Sequence, residues 1–268
     1  MSTADFQLRP TGEGIVPLRV LGAALSDRGP TRQRNEDSVY FHSPDETGLL
    51  LAKGVLALVA DGMGGHEGGE VASGLAAQRV GELYFGSQSA PQTALEEAFA
   101  AANQEIFAQS REKKGLLGMG TTCTAVAVVN GLAYCAHIGD SRAYLIREAQ
   151  TYCLTEDHST TMEMVKKGML TRAEARVHEE RNVILRAMGT RPRVDAASWA
   201  SPFPLRPGDR IVLCSDGLYE VIEEPEMAAL TAGLDPGDAC RRLVDLAIER
   251  HSSDNISAVV MQLSGTSV

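Results

Sequence analysis

The sequence predicts an α+β fold in which antiparallel sheets form a sandwich core and helix pairs cover it. Three observations carry that expectation. The strand-like runs are short, rich in β-branched residues and apolar along their whole length, as strands buried on both faces are. The helical segments come in consecutive pairs and do not alternate one-for-one with strands, which disfavours a doubly wound parallel sheet. Finally, Asn130-Gly131 separates two apolar runs, a strong two-residue hairpin signal.

The elements follow in order. An opening strand over 20–26 leads into a charged loop, 27–37, and then a hairpin-like pair, 38–42 and 55–60. A glycine-rich stretch, 62–69, opens a helix to about 85 with Val71, Leu75, Val80 and Leu83 among its apolar positions. Thr93 and Glu96 have the spacing of a capping box for a second helix that ends at Gly115. An antiparallel meander is expected over 121–154. The stretch from 155 to about 192 is polar, helix-forming and longer than a connection needs, with Thr171 and Glu174 as another capping box. A strand over 210–215, a short helix near 224–232, a helix over 236–250 with Asp235 as N-cap and Pro236 at its first position, and a strand over 256–263 complete the chain.

At 268 residues the chain can bury a large core. Residues 1–18 read as a loose lead-in and 19–268 as one catalytic-sized domain with an insert at about 155–192. The formal net charge of -10 argues against a nucleic-acid or anionic-membrane surface. An acidic protein still handles phosphates where a metal reverses the local charge. No basic region precedes an apolar run at the N-terminus and no apolar stretch is long enough to span a bilayer, so a cytoplasmic protein is expected. The five cysteines form no CxxC pair. They read as buried thiols of a reducing compartment, with a zinc site or a redox switch as the alternatives.

Four runs carry an aspartate at one end: GVLALVADG to Asp61, GLAYCAHIGDS to Asp140, RIVLCSDG to Asp216, and SDNISAVVM, where Asp254 precedes the run. Asn35-Glu36-Asp37 adds a further acidic cluster. Singly, each aspartate reads as a turn residue. Jointly they imply carboxylates that repel one another unless hard cations lie between them. A set with only oxygen ligands selects magnesium, manganese or calcium over zinc. Two such ions about 3.5–4 Å apart clamp a phosphoryl oxygen for in-line displacement. Arg32 and Arg34, in the same loop as Glu36 and Asp37, read either as a bidentate phosphate anchor or as solvated surface arginines. The run Gly62-Met63-Gly64-Gly65-His66 matches neither a Walker A loop nor a dinucleotide fingerprint. Gly62 permits a close backbone approach to a metal. His66 reads as a proton donor or as a loop histidine at a helix start.

In order along the chain stand SDRGPTRQRNEDS, VADGMGGHEGGEVAS, GMGTTCTAV, AHIGDSRAYLI, RNVILRAMG, GDRIVLCSDGLYEVI and SDNISAVV. Over nearly the whole chain, from about Val20 to Leu263, this series resembles the type-2C, metal-dependent protein Ser/Thr phosphatases (the PPM family), in particular the bacterial single-domain members. The resemblance implies an α-β-β-α sandwich and hydrolysis of phosphoserine and phosphothreonine by a hydroxide activated at a binuclear Mn or Mg centre. It implies Asp61 as the bridging ligand, the Gly62 carbonyl on one metal, and Asp216 and Asp254 on the other. Asp140, with Asp216, matches a weaker third metal site. Arg32 matches the phosphate-binding arginine, and Glu36 and Asp37 the acids that hold metal-bound waters. The 155–192 insert matches a mobile flap beside the active site. The implied partners are phosphorylated proteins, namely a Ser/Thr kinase and its targets, met by a monomer.

Two positions depart from the family pattern. The histidine that eukaryotic members carry two residues after the bridging aspartate is Met63 here, as is usual among bacterial members. A metal-bound water then leads as proton donor, with His66 behind it. The flap reads His178-Glu179-Glu180 without a proline common after that histidine. Two other functions stay open: a phosphoprotein-binding pseudophosphatase, which the retained Asp61, Asp216 and Asp254 disfavour, and a phosphatase of small metabolites.

Overall fold

The computed structural model describes residues 18–64 and 68–265. The chain begins with β1 (Leu18–Asp27), β2 (Asp37–His42), α1 (Thr47–Lys53) and β3 (Val55–Met63), and then the helix pair α2 (Gly68–Gly86) and α3 (Pro91–Glu112). β4 (Gly120–Thr121), β5 (Cys123–Val129), β6 (Leu132–Ile138), β7 (Arg142–Arg147) and β8 (Gln150–Cys153) follow. The insert contributes α4 (Thr160–Lys166) and α5 (Arg172–Val177). The chain continues through β9 (Ala197–Ser198), β10 (Phe203–Pro204), β11 (Arg210–Cys214), α6 (Asp216–Tyr219), α7 (Glu224–Thr231), α8 (Pro236–Glu249) and β12 (Ile256–Gly265).

Two sheets result. One has the order β1-β12-β11-β7-β8; the other has β10-β6-β5-β3-β2, with β4 on β3 and β9 on β6. Their pairings are antiparallel. The two-residue period of a strand explains the layers. In β3, Val55, Ala57 and Val59 face the other sheet, where they meet Leu213, Val259 and Met261. The alternate residues Leu56, Leu58 and Ala60 lie under α2 and α3, against Val80, Tyr84, Leu95 and Phe99. On the outer face of the first sheet, Val212, Cys214, Ala258 and Val260 pack against Met227, Leu243 and Val244 of α7 and α8. Both faces of both sheets are therefore buried, and the expected α-β-β-α sandwich is what the chain forms.

Local signals hold at several points. Asn130 and Gly131 both have positive φ, 50° and 78°, as the tight turn between β5 and β6 requires. Thr171 and Glu174 form a reciprocal capping box, and Asp235 caps α8 through the Asp238 amide. Other expectations are corrected. Residues 121–154 are not one meander: β6 and β7 are not paired, and the chain passes from one sheet to the other at 139–141. The Thr93–Glu96 pair does not cap α3, which starts earlier at Pro91 with Ala90 as N-cap, because proline suits the first helical position. That helix ends at Glu112, before Gly115. α1 and α6, each no longer than two turns, and the two-residue strands β4, β9 and β10 had no periodic signal of their own. Leu18, counted with the lead-in, belongs to β1, where it pairs with Gly265. All five cysteines are free, and only Cys153 is not fully buried.

Candidate active site

The acidic residues meet where the two sheets end together. Asp37 and Asp61 come from neighbouring strands of one sheet and stand opposite each other in the β2–β3 register. From the other sheet come Asp216, two residues past the end of β11, and Asp254, just before β12. Asp140 sits in the crossover between them. The electrostatics record this convergence. Burial, reinforced by the carboxylates of Asp37, Asp216, Asp140 and Asp254, pushes Asp61 well above the usual carboxylate range. Burial with Asp140 and Asp254 does the same to Asp216. Asp140 is pushed up to about 7 by burial and by Asp157, against the pull of Arg142. Burial raises Asp37 to about 6 despite two hydroxyl donors.

Each acid is held differently. Asp37 Oδ2 accepts hydrogen bonds of 2.7 Å from both Ser215 and Ser257, the residues that flank the other sheet's acidic turns. Asp254 Oδ2 accepts from Arg32 Nη2 at 2.6 Å, and its Oδ1 accepts from the Asn255 amide. Asp140 Oδ1 and Asp216 Oδ1 are buried with no hydrogen-bond partner. A buried carboxylate oxygen without a donor is costly, and these oxygens lie among like charges. Such a centre fits hard divalent cations, whose ligands are oxygens. Among the described residues no three acidic, histidine or cysteine side chains close on one point, consistent with Asp254 being turned onto Arg32 and Asp37 onto two serines.

At Gly62 the backbone is closely approached from two sides. A Cβ there would lie 2.2 Å from the Gly69 carbonyl oxygen and 2.4 Å from that of Glu36, so no larger residue fits. The Glu36 amide donates to Asn255 Oδ1. Burial raises the Glu36 carboxyl above its ordinary value, against the pull of Arg32. An open cavity of about 360 Å³ lies over this loop, lined by Arg32, Gln33, Arg34, Glu36 and Asn255. Arg32 is half exposed, with Nε donating to the Ser253 carbonyl. His66 lies outside the described residues.

Sequence reasoning passed over the residues that hold the acids in place. Asn255 organises the loop by donating to the carbonyls of Arg28 and Arg34. Thr122 Oγ1 accepts the Asp61 amide at 2.9 Å and shares a hydrogen bond of 2.6 Å with Ser141 Oγ, next to Asp140. Adjacency was the available signal: Asn255 and Ser215 touch the acids in SDN and SDG, and Thr122 lies in GMGTTCTAV. Thr122→Val keeps the shape but strands the Asp61 amide and the Ser141 hydroxyl. It is expected to cost about 1–3 kcal/mol and to weaken Mn2+ binding, while Thr122→Ser preserves both. Thermal unfolding and calorimetric Mn2+ titration check this; wild-type Mn2+ binding by the valine variant would remove Thr122 from the positioning of Asp61.

The insert closes over the Asp140 side. His158 and Gly139 exchange two hydrogen bonds, His158 N to Gly139 O and Gly139 N to His158 Nδ1. Arg142 grips Asp157 with both arms, at 2.9 and 2.7 Å, and stacks 3.8 Å from the Tyr219 ring centre. Further out, Arg176 donates to the Tyr219 and Glu220 carbonyls and Arg181 pairs with Glu220.

Residues 32–246 match the family description Protein phosphatase 2C. The chain belongs to the protein phosphatase 2C family. Among its relatives, it is 36% identical over 246 residues to the serine/threonine protein phosphatase PstP of Mycobacterium tuberculosis, covering 91% of this chain. The chain spans 45% of PstP's length. It is 33% identical to the protein phosphatase PhpP of Streptococcus pneumoniae, covering 90% of this chain and 96% of PhpP. In structure it superposes with a TM-score of 0.79 on the catalytic domain of PstP in complex with two manganese ions, at 33% identity, covering 92% of this chain and 99% of that one. The protein phosphatase 2C assignment fits the sandwich and the oxygen-only acidic centre described above. Among the described residues no helix is long and apolar enough to cross a membrane.

Proposed function

We propose that this chain hydrolyses phosphoserine and phosphothreonine esters on proteins, with residues 19–268 as the catalytic unit and 155–192 as a flap beside its active site. The observation that carries this reading is the group of buried carboxylates with unpaired oxygens at Asp140 and Asp216, set beside the Arg32 guanidinium. Asp61, Asp216 and Asp254 with the Gly62 carbonyl would hold two Mn2+ or Mg2+ ions, and Asp140 with Asp216 a weaker third. When bound, the ions lower the pKa of water and neutralise charge on phosphoryl oxygens.

The chain's own groups do the rest. Arg32 presents a planar fork whose Nη2 already engages a carboxylate oxygen, and a substrate phosphate competes with Asp254 for that fork. Glu36 and Asp37 hold waters at the centre, and the Ser215 and Ser257 hydroxyls fix Asp37. The described residues show no activated serine or cysteine nucleophile: Cys123, Cys135 and Cys214 are all pushed upward by burial, which keeps them as thiols. Five unpaired thiols suit a reducing cytoplasm. A Ser/Thr kinase and its phosphorylated targets are the partners this chemistry suits.

The test is turnover of p-nitrophenyl phosphate and a phosphothreonine peptide with and without Mn2+. Activity is expected with Mn2+ and is expected to vanish with EDTA. Arg32→Ala is expected to lower kcat/KM about 10²-fold through lost orientation of the phosphate, and Arg32→Lys, with no planar fork, to recover little of it. Hydrolysis that survives EDTA, or an Arg32→Ala variant with wild-type kinetics, would overturn this reading.

A further inference from the structure

A second cavity, of about 280 Å³, opens beside the acidic centre and is lined by Arg186, Arg191 and Arg193 together with Thr190 and Asp195. Its place follows from strand pairing. Met63, two residues past Asp61, pairs with Gly120 of β4. Thr121 in turn bridges to Met188. A Cβ on Gly120 would meet the Thr190 methyl at 2.9 Å on one side and Met63 Cγ at 3.6 Å on the other. The arginine cavity is therefore separated from the Asp61–Met63 end of β3 by one short strand.

The three arginines form no ion pair with any described residue, and Asp195, the one acid lining the cavity, is not paired with them. Elsewhere Arg142 and Arg147 each grip a carboxylate with both arms. Like charges gathered around one cavity favour an anion between them. The backbone that carries them is fixed from below. Asn103, buried on α3, accepts the Gly189 amide at 2.8 Å and donates to the Arg191 and Pro192 carbonyls at 3.2 and 3.4 Å. The chain as a whole carries a net charge of -10, so a basic pocket here selects locally.

We propose that this cavity is a subsite for a second anionic group on the phosphoprotein substrate, a carboxylate or another phosphate. Two strand spacings of about 4.8 Å plus an arginine's reach give roughly 10–15 Å to the reacting phosphate, or about three to five residues of extended peptide. The subsite rests on the phosphatase reading above and extends it to sequence preference.

The test compares phosphothreonine peptides carrying alanine, glutamate or phosphoserine three to five residues away on either side. Wild type is expected to show kcat/KM at least tenfold higher for an acidic peptide than for the alanine peptide, carried by KM. In the Arg191→Gln/Arg193→Gln double variant that preference is expected to fall within twofold, with p-nitrophenyl phosphate hydrolysis unchanged. The glutamate and phosphoserine arms separate carboxylate from phosphate recognition. No preference in wild type, or one retained by the double variant, overturns the subsite. Loss of all hydrolysis, p-nitrophenyl phosphate included, counts against the phosphatase reading instead. Fluorescence anisotropy with the same labelled peptides then still reads the acidic preference and its loss, so the subsite is judged on binding alone.

Discussion

Replacing Asp216 with asparagine is expected to cripple hydrolysis and, at the same time, to make the metal-free protein more stable. Asp216 has a buried oxygen with no donor and is raised well above the carboxylate range by burial and by Asp140 and Asp254. In the metal-free chain its charge is a cost. An uncharged amide of the same shape relieves the repulsion, with an expected gain of about 1 kcal/mol, near 3 °C in Tm for a domain of this size. With Mn2+ present the order reverses. Wild type gains about 2.7 kcal/mol at a hundredfold excess over Kd, while the variant, lacking a charged ligand, gains little. Turnover is expected to fall about 10³-fold, equivalent to some 4 kcal/mol of transition-state stabilisation. Thermal unfolding with and without Mn2+, alongside turnover, reads all three effects. A metal-free variant less stable than wild type would show that the carboxylates do not strain the fold.

The second expectation concerns pH. Asp140 is raised from 3.8 to about 7, and Asp37 to about 6, in the folded chain. A carboxyl whose folded value lies above its unfolded one is favoured by its proton. The stability it contributes is complete below the unfolded value and is lost as pH rises through the folded value. His137 and His158, both pushed down to about 4 by burial, act oppositely, their contribution growing with pH between about 4 and 6.5. Above about pH 7.5 the histidines are neutral in both states and only the raised carboxyls, Asp61 and Asp216 among them, remain. Between pH 6.5 and 7.5 the two trends nearly offset each other, and metal-free stability is expected to fall as pH rises above about 7.5, by about 0.7 kcal/mol per pH unit at the midpoint of a single group. Mn2+ takes the place of the protons, so its binding is expected to release protons in this window and to tighten as pH rises. Denaturant melts across the window and Mn2+ titration in buffers of different ionisation enthalpy measure both. A metal-free stability that is flat or rising above pH 7.5 would contradict the raised carboxyls.

What the sequence disclosed depended on the kind of signal. Asp61, Asp140, Asp216 and Asp254 were legible because each terminates or precedes an apolar run, and strand ends of one sandwich share an edge. The capping box at Thr171 and Glu174 and the Asn130-Gly131 turn were legible because their chemistry is local. The crossing at 139–141 was not: a Gly-Asp turn reads the same whether the next strand returns to its own sheet or joins the other. The partners chosen by Asp37 and Asp254 were hidden for a similar reason. They come from positions about 180 to 220 residues away in the chain, Ser215, Ser257 and Arg32. α1 and β4 were missed because elements that short carry too few periods to detect.

The hydrogen bonds from Ser215, just past β11, and Ser257, near the start of β12, tie one sheet to Asp37 at the start of β2 in the other. The acids proposed as metal ligands straddle the same seam, Asp61 on one side and Asp216 and Asp254 on the other. A cation held between them would work as a rivet through two plates that also touch through Val59, Leu213, Val259 and their apolar neighbours. Any slide of one plate against the other pulls the rivet holes out of line. The catalytic edge thereby gauges the alignment of the whole sandwich.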